Sequence, residues 1–308
     1  MVRKSRLSEC ATQLACALLC IVCANADART WYIRPDGSGD APTIQAALDS
    51  SSAGDEILLA AGTYTWTSQD VAPQALGMLV IRNNVSLRGE GGSTSTILDG
   101  ELMGRVIRVE DTATEVTIEG LSILRGYSGG GSGIDARLSS VRMNQCELRD
   151  NYVYGQWGRG GGALCNLAAV SESKFVGNRT EGGPGAGIYF EEGSVQDCVF
   201  QENIVSLEFA CGGAIAATRA TVSRTLFEKN RCTAFVDASG GAIRADNLTL
   251  HSSVFDGNLI ASTVGVGRGA AVSMRTGRIL QCIFIRNRSI TESFGEGGGR
   301  VCRRRDGH

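Results

Sequence analysis

Between residues 161 and 287 one phrase recurs five times: small residues, an aliphatic, then Phe-x-x-Asn about a dozen positions later. The copies open with Gly161-Gly162-Ala163-Leu164, Gly185-Ala186-Gly187-Ile188, Gly212-Gly213-Ala214-Ile215, Gly240-Gly241-Ala242-Ile243 and Gly269-Ala270-Ala271-Val272. They close with Phe175 and Asn178, Phe200 and Asn203, Phe227 and Asn230, Phe255 and Asn258, and Phe284 and Asn287. A looser copy runs from Gly133-Ile134 to Leu148 and Asn151, and the six asparagines are spaced by 27, 25, 27, 28 and 29 residues. A period in the twenties with glycine at its turns confines the chain to a solenoid, where each repeat buries its apolar face only by stacking on the next.

The repeats read as strands. Around each phenylalanine the pattern alternates, as in Ser173-Lys174-Phe175, Cys198-Val199-Phe200 and Thr225-Leu226-Phe227. Alternate residues of a strand share a face, so each Phe and the small residue two before it point the same way. Stacked coils then hold two interior columns: the aromatics, and Cys146, Ser173, Cys198, Thr225, Ser253 and Cys282. A leucine-dominated consensus is absent, which sets leucine-rich solenoids aside. The expected fold is all-β, a single-stranded right-handed parallel β-helix whose coils rise about 4.8 Å each. Each asparagine stands where strand gives way to turn, and identical amides on successive coils can bond one another as a ladder.

The paired GGA-[ILV] and FxxN motifs resemble the polymorphic outer-membrane protein repeat of bacterial surface proteins. Gly161–Leu164, Gly212–Ile215 and Gly240–Ile243 match it fully, and the copies at Gly185 and Gly269 depart by one small residue. The resemblance spans about residues 129–301 and implies a parallel β-helix of the pectin-lyase-like superfamily displayed outside the cell. Upstream, Thr43–Leu48 looks like the capping helix of such folds, and strands are expected at Met78–Ile81, Val85–Leu87, Val106–Val109 and Val116–Ile123. Covering the first coil is physically required, because its strand would otherwise present unpaired backbone groups.

Composition agrees. Forty-one glycines serve turns and only four prolines interrupt the ladders. Two histidines leave little material for an imidazole metal site, and a net charge of −2 argues against nucleic acid as a partner. Arg3, Lys4 and Arg6 followed by the apolar run Ala11–Ala24 and small residues near Ala26 read as a secretory signal over residues 1–28. One β-helical domain is expected from residue 29 to 301, and no later stretch is long and apolar enough for a membrane helix. Residues 302–308 read as a basic, disordered or truncated tail. Cys146, Cys198 and Cys282 fall on non-adjacent coils, too far apart to bridge, whereas Cys211 and Cys232 lie near the loop edge of neighbouring coils, where a disulfide could form.

Positions three and one before each Phe are expected to face outward. They cluster Glu172, Lys174, Asp197 and Arg224 on three consecutive coils, within about 10 Å. Cleaving an acidic polysaccharide by β-elimination needs a cation or calcium on the uronate and a base for the C5 proton, and this set holds such groups. It equally suits a surface ion-pair ladder with no function. Three readings follow: an exported, non-catalytic, adhesin-like β-helix binding polysaccharide or surface glycoprotein without a cofactor; a polysaccharide lyase or glycoside hydrolase, using Ca2+ only as a lyase; or an inactive fragment. The first is preferred.

Overall fold

The structure is a computed structural model that describes residues 28–72, 75–293 and 300–305. The chain winds into a right-handed parallel β-helix of about nine turns. Three long sheets run along it. The first, of 12 strands, begins at Thr30–Ile33 and includes Ile134–Asn144, Ala163–Ser171, Ile188–Gln196, Ile215–Ser223, Ile243–His251 and Val272–Leu280. The second, of nine short strands, carries the phenylalanines. The third starts at Tyr127–Ser128 and Tyr152–Val153.

The interior follows from the alternation. Phe175, Phe200, Phe227 and Phe255 are fully buried, and their rings stack with centroids 4.6 to 5.2 Å apart. Phe284 continues the stack at 4.8 Å but is 46% exposed, because the last described coil is covered on one side only. The small column is buried from Cys146 to Ser253, with Cys282 on the last described coil only partly so, and it is also bonded. Ser173, Thr225 and Ser253 donate to the carbonyl two residues back, while their oxygens accept from the backbone N–H of Cys146, Cys198 and Thr225. At Ser173, Thr225 and Ser253 a purely apolar residue would leave the backbone N–H groups of Cys146, Cys198 and Thr225 without that acceptor, which selects a hydroxyl there. The cysteines of the column donate, Cys198 to the Gln196 carbonyl for example.

The asparagines form the expected ladder. Nδ2 of Asn151, Asn178, Asn203, Asn230 and Asn258 each donates to Oδ1 of the next at 2.9 to 3.0 Å. Each also donates to a carbonyl of the preceding coil, Asn203 to Phe175 at 2.8 Å for example.

Three corners shape each coil. At the third, glycine is required: Gly212 has φ 62, and a Cβ there would meet the Ile215 carbonyl oxygen at 2.1 Å. That corner corrects the alignment of the repeats. Ala163, not Leu164, pairs with Ile188, so the equivalent of Gly185 is Gly160. The left-handed glycine, φ 63 at Gly160 and 73 at Gly185, sets the register rather than the composition of the next residues. The expected strand Val116–Ile123 is likewise two strands, Glu115–Glu119 and Ser122–Leu124, broken by Gly120 at φ 63.

A helix, Ile44–Ser50, caps the first coils. Thr43 caps it through a hydroxyl that accepts from Ala46 N, and Ile44, Ala47 and Leu48 face the core. Gln45 bonds the backbone of Val80 in both directions, at 2.7 and 3.1 Å, as a neighbouring strand would. At the other end Arg300–Arg305 runs antiparallel to Arg288–Ser293, overlapping the stretch from residue 302 read as a disordered tail. Residues 1–27 of the signal segment read over 1–28 lie outside the described residues, as does the Cys211 side chain, on which the expected disulfide depends.

Candidate functional site

The four side chains expected to carry chemistry gather at one corner. Glu172, Asp197 and Arg224 occupy its left-handed position, with φ of 48, 54 and 46, rather than regular strand positions, and Lys174 is the exposed first residue of Lys174–Val176. Arg224 grips Asp197 with two hydrogen bonds, 2.7 and 2.9 Å, and with Gln196 holds its carboxyl below the ordinary range. Glu172 accepts from Gln145 Nε2 at 3.0 Å. The result is an exposed ladder along the corner, and none of the four lines the cleft that opens on the first sheet.

That cleft is built by strand register. The residue following each paired aliphatic turns away from the core, which aligns Arg108, Asp135, Leu164, Tyr189, Ala216 and Arg244 across successive coils. Two residues on stand Arg137, Glu191, Thr218 and Asp246. Beside Tyr189 the surface sinks into a cleft of about 310 Å³, lined by Gly130, Arg137, Trp157, Arg159, Tyr189 and Glu191. Trp157 and Arg159 come from the loop joining the third sheet to the first, and Trp157 is 89% exposed.

A hydrogen-bonded chain crosses the cleft. Arg159 Nη1 donates to the Tyr189 hydroxyl at 3.1 Å, with its guanidinium over the tyrosine ring at 4.8 Å. The hydroxyl donates to Glu191 Oε1 at 2.7 Å, and Thr218 donates to the other oxygen of Glu191 at 2.7 Å. Burial, then the bond to Glu191, pushes Tyr189 up to about 12, while Thr218 and Tyr189 hold Glu191 below the ordinary carboxylate range. At neutral pH the tyrosine is therefore protonated and the glutamate ionised. Cys165, at the floor, is buried and its thiol is pushed up, so it stays protonated too.

Beside this chain three arginines converge on one buried carboxylate. Asp135 has a fully buried side chain and meets Arg108 and Arg137 at 2.7 Å and Arg105 at 3.1 Å. Burial raises the Asp135 carboxyl, but the bond from Arg137 and the charges around it outweigh that and hold it low. Arg108 also meets Glu110 at 3.4 Å, so Arg105, Arg108 and Arg137 face two carboxylates and leave one positive charge over. Arg159 has no carboxylate within ion-pair distance among the described residues and acts on Glu191 across the Tyr189 hydroxyl. Among the described residues no group of three or more His, Cys, Asp or Glu is placed to hold a metal ion.

Sequence reasoning passed over this site because it followed the outward columns of the phenylalanine strands, one sheet away. A signal was present in the first-sheet column and in the loop Tyr152-x-Tyr154-x-x-Trp157-x-Arg159, which gathers aromatics into a chain with six tyrosines and three tryptophans in all. What the sequence lacked was the register that sets this loop beside Tyr189.

No protein-family model matches the chain, so the likeness to the polymorphic outer-membrane repeat rests on its motifs, and no curated protein matches it. Among solved structures it is similar to an alginate lyase from Paenibacillus sp. str. FPU-7, at TM-score 0.40 and 16% identity, covering 84% of this chain and 98% of that one. It is also similar to a mannuronic acid-specific polysaccharide family 6 lyase from human gut microbiota, at TM-score 0.34 and 14% identity, covering 84% and 82%.

Proposed function

We propose that the protein is exported and binds an acidic polysaccharide in the cleft around Tyr189, as a β-helix that holds its ligand without changing it. The observation that carries this reading is Arg159, a guanidinium in an open cleft with an aromatic ring and a hydroxyl for partners and no carboxylate of its own. A planar guanidinium takes a carboxylate through two parallel bonds, and each uronate of an acidic chain brings one. The exposed Trp157 adds a flat apolar face for the sugar ring. Export rests on the basic and then apolar N-terminus.

A second reading, β-elimination, is favoured by the Tyr189 hydroxyl set between a cation and a carboxylate. Arg137 and Arg159 could neutralise a uronate, and Tyr189 could protonate a leaving oxygen. A base for the C5 proton is harder to assign: Tyr189 holds its proton at neutral pH, and Glu191 is too acidic to accept one readily. Binding therefore ranks first. Calcium enters only under the elimination reading.

The test is affinity electrophoresis of purified protein through polygalacturonate and alginate, alongside ultraviolet absorbance for unsaturated product. Retention that weakens with salt and is lost in Arg159→Ala supports binding. Product that disappears in Tyr189→Phe puts elimination first, and absence of both retention and product ends both readings.

A further inference from the structure

Three tyrosines make a second surface close to the cleft. Tyr127 and Tyr152 pair in register on the third sheet and stack with ring centroids 5.5 Å apart and planes 10° apart. Tyr154, one coil on from Tyr127, leans against the Tyr127 ring at 4.8 Å. Tyr127 and Tyr154 remain 40% and 45% exposed. The Tyr152 hydroxyl is tied to Glu181, whereas the Tyr127 and Tyr154 rings leave joined aromatic surface open to a ligand.

The platform is continuous with the cleft. Tyr154, Trp157 and Arg159 belong to one loop, and Tyr127 leads directly into Gly129 and Gly130, which line the cleft wall. Arg105 fills the space between: it donates to the carbonyls of Gly130 and Gly131 and pairs with Asp135, and Tyr154 bears on its charge. Tyr127 and Tyr189 stand two coils apart, about 10 Å along the axis. A chain of sugars carries carboxylates on its edges and C–H groups on its ring faces, and the C–H face is what an electron-rich aromatic surface attracts.

Resting on the reading of the cleft as an acidic-polysaccharide site, we propose that Tyr127 and Tyr154 form a further subsite that takes the apolar face of a sugar ring of the same chain whose carboxylate is held at Arg159. The subsite lengthens the recognised segment, so the protein prefers long acidic chains to short ones. A neutral glycan meets the platform but not the arginines and binds more weakly than an acidic one of equal length.

The experiment is calorimetric titration with oligogalacturonates and oligomannuronates of rising length, with neutral manno-oligosaccharides as controls. In the wild type, affinity should rise with length by about tenfold or more once one chain reaches both surfaces. Tyr154→Leu and the double variant Tyr127→Leu/Tyr154→Leu should lower affinity for long oligomers more than for short ones, whereas Arg159→Ala should lower it at every length. Both tyrosines are partly exposed, and an unchanged circular dichroism spectrum and unfolding midpoint confirm folded variants. If the tyrosine variants bind long oligomers as the wild type does while Arg159→Ala fails, the subsite is overturned and the cleft reading stands. If no oligouronate of any length binds the wild type, both fall.

Discussion

Arg159 lies with its guanidinium 4.8 Å from the ring centroid of Tyr189 and donates to that ring's hydroxyl at 3.1 Å, so one cation is held by a face and an edge of one aromatic residue. Neither contact neutralises it. The guanidinium is positioned without being spent on a protein carboxylate, as an anion-binding group should be.

Tyr189→Phe keeps the ring and removes the hydroxyl that accepts from Arg159 and donates to Glu191. The fold should persist and polyuronate affinity should fall several-fold, the loss of about one hydrogen bond at 1–2 kcal/mol. The pH dependence has a definite sign. Tyr189 sits at about 12 against an ordinary 10.0, so the proton is bound more tightly when folded. The resulting stabilisation is complete below the ordinary value and is lost as pH rises from there towards 12. Ultraviolet titration of tyrosinate should show a phase near 12 that is smaller by one tyrosine in Tyr189→Phe, since Tyr152, bonded to Glu181, also titrates near 12. An unchanged titration curve would refute the assignment.

Asp135→Asn removes the anion on which Arg105, Arg108 and Arg137 converge. Breaking a buried ion cluster by deleting one partner costs about 3–5 kcal/mol, and urea unfolding at neutral pH should show a loss of that size. Asp135 is held below its ordinary 3.8, so its contribution is present above that value and lost as pH falls through the lower folded value. The difference between wild type and variant should therefore shrink in acid. A constant difference across pH would mean that Asp135 is not the charged centre of the cluster.

Asn230 supplies the oxygen that accepts both the backbone N–H and the side-chain amide of Asn203, and its own amide donates to Phe200 and Asn258. In Asn230→Ala these fully buried groups lose partners at 1–3 kcal/mol each, so unfolding should become easier by about 3 kcal/mol or more. Asn230→Asp should be nearly as harmful, because a carboxylate cannot donate to the Phe200 carbonyl. Asn287→Ala, at the last described rung, should cost clearly less.

Phe227→Ala opens a cavity between Phe200 and Phe255, rings 5.2 and 4.6 Å away. Neighbours fixed by parallel ladders on both sides cannot collapse into it, so the cost should be about 3–5 kcal/mol. Phe284→Ala, at a ring already 46% exposed, should cost less than half as much. Chemical denaturation of the two variants checks the ranking, and equal losses would contradict the stacked core.

The repeat of glycine, aliphatic, Phe and Asn determines a parallel β-helix by itself, because each of those residues answers a local demand that recurs every coil. Phe fills the same interior slot, Asn bonds its own copy above and below, and glycine alone fits the third corner, where a Cβ would strike a carbonyl. The capping helix at Thr43–Leu48 was equally legible from its amphipathic pattern. The site was not. Asp197 and Arg224 do meet, as their spacing implies, but at a left-handed corner whose backbone shape no alternation pattern reports. Tyr189, Asp135 and Arg137 come together through strand register, while Arg159 and Trp157 arrive on a loop anchored one coil earlier. The motif alignment also stood one residue off, Leu164 in place of Ala163, and so did not set Leu164 beside Tyr189. Side chains on the outside of a solenoid meet no common packing requirement, so only the tertiary register decides which of them become neighbours.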